Sequence, residues 1–380
     1  MKIPFNKIHL TNKELEYIND ALTRGQISGD GHYTRLVENH IKESFNTKRV
    51  FMTTSATHAL EMAVMMIDIK PGDEIIMPSY TFPSCANAVL LRGAKIVFSE
   101  IKEDTLNIDP DDVKRKITFK TRAIMPVHYA GISCEMDKLL DIAAYHNLYV
   151  IEDAAHAVNA LYKGKYLGTL GHMGCYSFHG TKNYICGEGG ALLLNTDASD
   201  LYNHASIIRQ KGTNREQFLT GKIDKYSWVG LGSSYTPSDM LMAFLYAQLI
   251  CMNDIKNKRK IIHDYYTVRL SKYVEKKIIR TNTIPQDCES NYHIFYVLFN
   301  DENIRSFAEK QLKKKGIQAS NHFVPLHSSP MGLSLGYKTG QLPITEMAGK
   351  CLLRLPIYTD MTLNEREYVI DNLEEILKVI

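Results

Sequence analysis

Two segments of this chain place reactive side chains where an apolar run gives way to small residues. Asp153 ends the run in Val150-Ile151-Glu152-Asp153-Ala154-Ala155-His156, and Lys182 lies in Ser177-Phe178-His179-Gly180-Thr181-Lys182-Asn183, just before Gly187-Glu188-Gly189-Gly190. A carboxylate at the carboxyl end of a parallel strand faces the crevice where open α/β sheets take their ligands. A lysine held at a strand end in a glycine-bounded loop can be desolvated into a nucleophilic amine. Each residue also has a plainer reading, Asp153 as the cap of a following helix and Lys182 as a solvated surface cation. Together they suit pyridoxal phosphate, whose aldehyde needs a lysine and whose ring nitrogen needs a carboxylate.

The phosphate of such a coenzyme needs donors, and Ser55-Ala56-Thr57-His58 supplies them at the start of a helix. Backbone N–H groups, the Thr57 hydroxyl and the helix dipole together favour a dianion there. Tyr80 or Phe82, in Pro78-Ser79-Tyr80-Thr81-Phe82-Pro83, could cover the ring. No GxGxxG follows the first apolar run and no GKS or GKT follows a glycine run, so neither a dinucleotide fold nor a P-loop is indicated.

These residues need a scaffold of strands alternating with helices. Short apolar runs at Val50–Met52, Glu74–Met77, Lys95–Phe98, Ala123–Val127 and Leu148–Ile151 predict a largely parallel sheet. Leu60, Ala63, Val64 and Ile67 share one face of a helix over 56–67. Strand-like runs at 174–178 and 191–194 lie too close for a crossover helix. Residues 239–274 read as one long helix or two, linking a large domain over 1–250 to a small C-terminal α+β domain over 251–380. In the latter, a strand over 292–299, a helix over 304–315 with Phe307 and Leu312 inward, a strand into Asn321-His322-Phe323 and a closing helix over 363–380 are expected. Thr362 and Glu365 have capping-box spacing.

Length and composition fit two domains: 380 residues, 44% hydrophobic and 23% charged, with 45 Lys+Arg against 42 Asp+Glu. A formal charge of +3 indicates no nucleic-acid or anionic-membrane partner. The basic runs 256–260 and 313–315 read as solvated helix faces. No stretch is apolar enough to span a bilayer. The seven cysteines (85, 134, 175, 186, 251, 288 and 351) contain no CxxC pair, which argues for free thiols, no metal site and a cytoplasmic protein.

Over nearly its whole length the chain resembles the DegT/DnrJ/StrS sugar aminotransferases, which are fold-type I pyridoxal-phosphate enzymes. The likeness lies in Pro71-Gly72-Asp73-Glu74, Pro78 to Phe82, Pro126-Val127-His128-Tyr129-Ala130-Gly131, Glu152 to His156, the lysine segment with its glycines, and Val324-Pro325-Leu326-His327. Ile3-Pro4-Phe5-Asn6, Lys211-Gly212-Thr213-Asn214-Arg215, Asp224 to Trp228 and Leu353-Arg354-Leu355-Pro356 are similar to the dTDP-4-amino-4,6-dideoxygalactose transaminases within it.

The resemblance implies an aspartate aminotransferase-like large domain with a mostly parallel seven-stranded sheet. It makes Lys182 the coenzyme's covalent anchor and Asp153 the partner of the ring nitrogen, with His156 at the ring. Thr57, the amide of His58 and Ser177 would hold the phosphate, Phe82 would cover the ring, and His179 would support the lysine side. L-glutamate would be the amino donor, leaving as 2-oxoglutarate, and a nucleotide-linked 4-keto sugar the acceptor. The sites would lie at a homodimer interface.

The chain departs from the pattern at three positions. Ala56 stands where many relatives carry glycine, and Gly180 where the subgroup often has a larger acidic residue. Thr236 stands where some relatives have an asparagine reaching the phosphate site of the partner subunit. Lys182 argues against the family's dehydratases, which have histidine there. Lys211, Arg215 and His327 are candidates for the sugar's diphosphate; each could equally be an ordinary loop residue. Trp228 reads as packing, while His128 and Tyr129 could line the pocket or fill the core. Another pyridoxal-phosphate reaction on this fold, or a non-catalytic binding protein, are the competing functions.

Overall fold

The computed structural model describes residues 1–196 and 199–380. Seven strands build its main sheet: β1 (Arg49–Thr53), β2 (Glu74–Pro78), β3 (Lys95–Ser99), β4 (Thr121–Ile124), β5 (Tyr149–Asp153), β6 (Met173–Ser177) and β7 (Gly190–Leu194). Their spatial order is β1-β7-β6-β5-β4-β2-β3, with β7 antiparallel to both neighbours and every other pairing parallel. This is the fold-type I architecture. All five residues of β6 and of β7 are buried, as expected where helices cover both faces of a sheet. One apolar layer packs on each face, one around Val37, Ile76 and Leu245, the other around Leu60, Val64 and Ile75.

The predicted helix after β1 runs Ala56–Met66, with Leu60, Ala63 and Val64 buried and Ile67 half-buried beyond its end. The stretch expected as one helix or two is two, Asp239–Leu249 and Met252–Glu275. A three-stranded antiparallel sheet follows, in the order β8 (Ile279–Thr281), β9 (Phe295–Phe299) and β10 (Leu352–Leu355). Helices Met252–Glu275, Glu302–Lys314 and Leu363–Leu377 share a core with it around Tyr266, Phe295 and Leu373. The capping box of the last helix is formed, Thr362 and Glu365 exchanging side-chain and backbone bonds.

Four expectations need correction here. Phe307 is 41% exposed, and its helix instead turns Arg305, Ala308 and Leu312 inward. Residues 321–323 are not a strand; only Ser320 bridges, to Arg354. The run 256–260 is not uniformly solvated, because Lys256 and Arg259, three apart and so on one helix face, are buried. Lys256 donates to the Asn159 carbonyl, and Arg259 to those of Tyr292 and His293. Trp228, expected to pack, is 74% exposed.

The first residues cross the molecule. Ile3 is buried in the core of the three-stranded sheet and bridges Ile317, while the Asn6 amide donates to the Gly180 carbonyl beside the lysine loop. No helix among the described residues is long and apolar enough to cross a membrane.

Candidate active site

The carboxyl ends of β1, β2, β5 and β6 and the start of antiparallel β7 lie on the same side of the main sheet. Gly190 pairs with Thr53 on one side and Ser177 on the other, and Asp153 pairs with Cys175. A Cβ at Gly190 would lie 2.3 Å from the Ser55 carbonyl carbon and 2.4 Å from the Ala56 nitrogen, so glycine alone lets the loop after β1 settle on the sheet. The lysine loop closes on itself through Gly180 N–H to Gly187 O and Cys186 N–H to Phe178 O, and Gly187 turns with φ +87°.

Ser55 caps the helix Ala56–Met66, its hydroxyl accepting the His58 N–H at 3.1 Å. That bond corrects the expected role of His58: its amide is taken, leaving those of Ala56 and Thr57, which have no carbonyl a turn earlier in the helix. Its ring is bonded to Thr54 and lies against Tyr235. The Thr57 hydroxyl meets that of Ser84 at 2.7 Å, and buried Ser177 faces the same cavity.

The cavity, about 630 Å³, also takes in Asp153, His156, Lys182, His293, His322 and Arg354. Asp153 Oδ1 accepts the Ala155 N–H at 3.0 Å and Oδ2 accepts the Cys85 thiol at 2.9 Å, which orients the carboxylate. Lys182 keeps some exposed surface only because it faces the cavity; protein surrounds it. Burial pulls its amine down to about 8, with Asp153 opposing and the Arg354 charge assisting. In coenzyme-free protein, capture of pyridoxal phosphate by Lys182 should therefore accelerate with pH along a curve centred on about 8, because only the neutral amine attacks. Stopped-flow absorbance measures this, and a midpoint above about 10, the ordinary lysine range, would contradict the buried-amine assignment.

Burial and the Lys182 charge hold His156 well below the ordinary histidine value, so its ring is neutral, and its buried Nδ1 has no partner among the described residues. Its ring lies nearly parallel to Phe323, at an interplanar angle of 10°. His293 Nδ1 meets Asn183 Oδ1 at 2.9 Å, tying the three-stranded sheet to the lysine loop, and His322 Nδ1 meets the Tyr129 hydroxyl at 3.1 Å. Open helix-start amides, an unpartnered imidazole nitrogen, a low-pKa amine and an oriented carboxylate fit pyridoxal phosphate.

The sequence profile described as the DegT/DnrJ/EryC1/StrS aminotransferase family matches residues 9–374. The chain belongs to this family. It is 32% identical over 375 residues to an uncharacterized protein of Methanocaldococcus jannaschii, covering 97% of this chain and 95% of that one. It is 29% identical over 374 residues to the GDP-perosamine synthase of Escherichia coli O157:H7, covering 98% of each. The PLP-form of Spr1654 from Streptococcus pneumoniae superposes with a TM-score of 0.92 at 25% identity, over 100% of this chain and 99% of that one. The chain is a pyridoxal-phosphate-dependent sugar aminotransferase, of the family-level type that aminates nucleotide-linked keto sugars.

In this DegT-family chain the other expected site residues are scattered. Phe82 lines the cavity mouth and is 59% exposed, and His179 lies at the rim, bonded to Thr181. His327 is not a substrate contact: it is 0% exposed, its Nδ1 meeting Ser79 Oγ at 2.7 Å and its Nε2 meeting Glu346 Oε1 at 3.0 Å. Lys211 and Arg215 lie outside the cavity of their own chain. So does Thr236, whose buried hydroxyl has no partner among the described residues. His128 and Tyr129 are core residues; His128 Nε2 donates to buried Glu152, while its Nδ1 accepts the Cys134 N–H.

Sequence reasoning assigned no role to Arg354, His293 or His322. Arg354 could have been found as a cation between leucines in a strand-like run. Its Nε has no partner among the described residues, Nη2 donates to the Asn321 carbonyl at 3.2 Å, and the guanidinium lies over the Phe5 ring at 4.7 Å.

Proposed function

We propose that this enzyme moves the amino group of L-glutamate to the 4-keto carbon of dTDP-4-keto-6-deoxy-D-glucose, yielding dTDP-4-amino-4,6-dideoxy-D-galactose. The observation that carries the donor half is the shared cavity of Lys182 and Arg354, whose Nε has no partner among the described residues. Bound pyridoxal phosphate supplies an electron sink that makes the bond from the donor carbon to its hydrogen labile. Arg354 pairs with the donor carboxylate through its guanidinium, whose Nε is unengaged among the described residues. Neutral Lys182 Nζ removes the proton from the donor carbon and returns one to the sugar carbon. Asp153 holds a proton at the ring nitrogen. The amides of Ala56 and Thr57, with the Thr57 and Ser177 hydroxyls, hold the phosphate, and Phe82 and Phe323 narrow the mouth against water.

Subgroup likeness around Lys211–Arg215 supports the thymidine-linked sugar. A guanosine-linked sugar is the second reading, favoured by the related GDP-perosamine synthase. Absorbance separates them: L-glutamate should bleach the visible band of the bound coenzyme, and the thymidine-linked 4-keto sugar should restore it with formation of the amino sugar. Restoration by guanosine-linked keto sugars alone would replace the first reading with the second. No bleaching by glutamate would sink the proposed donor.

We also propose the domain division near residue 250, although Ile3, expected with the large domain, packs in the core of the C-terminal one, and we propose a homodimer that shares its sites. Lys211, Arg215 and Thr236 lie outside their own cavity, close in the chain to exposed Trp228, Val229 and Leu231, which a partner would cover. Sedimentation at falling concentration should show activity lost with the dimer; fully active monomers would refute the shared site.

A further inference from the structure

The helix Pro83–Leu90 reaches both ends of the coenzyme cradle within its first turn. Ser84 meets Thr57 on the phosphate side at 2.7 Å, and the next residue, Cys85, gives its thiol to Asp153 Oδ2 at 2.9 Å. Thr81 Oγ1 lies 3.3 Å from the same sulfur, forming a chain Thr81–Cys85–Asp153. Cys85 is fully buried, so it is not offered to oxidants or metals. Burial and the neighbouring carboxylate push its thiol well up, so it remains S–H and acts as a donor.

We propose that Cys85 is a positioning residue for Asp153, its thiol fixing one carboxylate oxygen while the Ala155 amide fixes the other, so that the carboxylate faces the coenzyme's ring nitrogen. A thiol suits this task because it is a weak donor. A strong donor would draw the carboxylate's charge to itself, whereas a weak one orients it and leaves the charge available for the ring proton. The inference rests on the proposed partnership of Asp153 with that nitrogen and needs no assumption about the sugar.

The test is a pH titration of the visible coenzyme band, without substrate, on coenzyme-loaded wild type, Cys85→Ala, Cys85→Ser and Asp153→Asn. Losing the ring-nitrogen proton makes the ring less electron-withdrawing, so the midpoint should rise. The expected rise in Cys85→Ala is about half a pH unit or more, within what one hydrogen bond to a charged group can shift. Cys85→Ser keeps the carboxylate oriented but, as a stronger donor, takes more of its charge, so its midpoint should fall between those of wild type and Cys85→Ala. If Cys85 only packs, alanine lowers thermal stability without moving the midpoint, and that result overturns the proposal. Equal shifts in the serine and alanine variants overturn it too. Should Cys85→Ala not fold, Cys85→Val, of similar bulk and without a donor, takes its place. An unmoved midpoint in Asp153→Asn would instead fault the partnership of Asp153 itself.

Discussion

Lys182→Ala is expected to give a folded protein that shows no visible coenzyme band after pyridoxal phosphate is added and transaminates at less than about one ten-thousandth of the wild-type rate. The size of the loss follows from two roles resting on one amine. Nζ is the covalent anchor, and the same atom moves the proton between donor and acceptor carbons, a general acid–base contribution of about 10²–10⁴-fold by itself. The fold should survive, because the loop is closed by backbone bonds from Gly180 and Cys186 that do not use the side chain. Removing the amine also removes a buried cation, which can only relieve the histidines around it. Absorbance, circular dichroism and a coupled 2-oxoglutarate assay check the three parts. Residual activity within about 10²-fold of wild type would assign the proton transfers to another group.

Asp153→Asn should lower kcat by about 10²–10³-fold, the usual cost of removing one preorganised electrostatic partner from a water-poor site. The change keeps the side chain's shape, and the amide oxygen can still accept the Ala155 N–H. What it loses is charge, and it turns an –NH₂ toward the Cys85 thiol, so two donors face each other where donor met acceptor. Coenzyme should still attach, because Lys182 and the phosphate donors are untouched; the defect should therefore lie in kcat and far less in coenzyme affinity. Activity within tenfold of wild type would mean that the ring nitrogen finds its proton's counter-charge elsewhere.

The strands were the most readable part of this chain because each is a short apolar run ended by turn residues, and burial on both faces leaves no other pattern for them. The residues gathered at the cavity that could be read, Thr57, Asp153, Ser177 and Lys182, lie at strand ends or within about five residues of them, where local sequence announces position. Arg354, His293 and His322 arrive from the three-stranded sheet and its loops, and only the packing of that layer against the lysine loop turns them inward. His327 failed for the opposite reason. A histidine after a proline-containing loop looks available, yet Ser79 and Glu346, distant in sequence, occupy both its nitrogens. Lys256 and Arg259 show the same limit, since a run of cations does not reveal which helix face will meet carbonyls at the ends of other segments.

Ile3 bridges Ile317, and Asn6 rests on the lysine loop. During synthesis the first of these residues leaves the ribosome long before its partner exists. The strap over Gly180 therefore cannot be fastened at its far end until more than 300 residues have been made, whatever the main sheet has already accomplished. Such widely separated contacts close late and slowly. The seven-stranded sheet can be assembled while the strap still hangs free, and the finished catalytic pocket is among the last things the nascent chain completes.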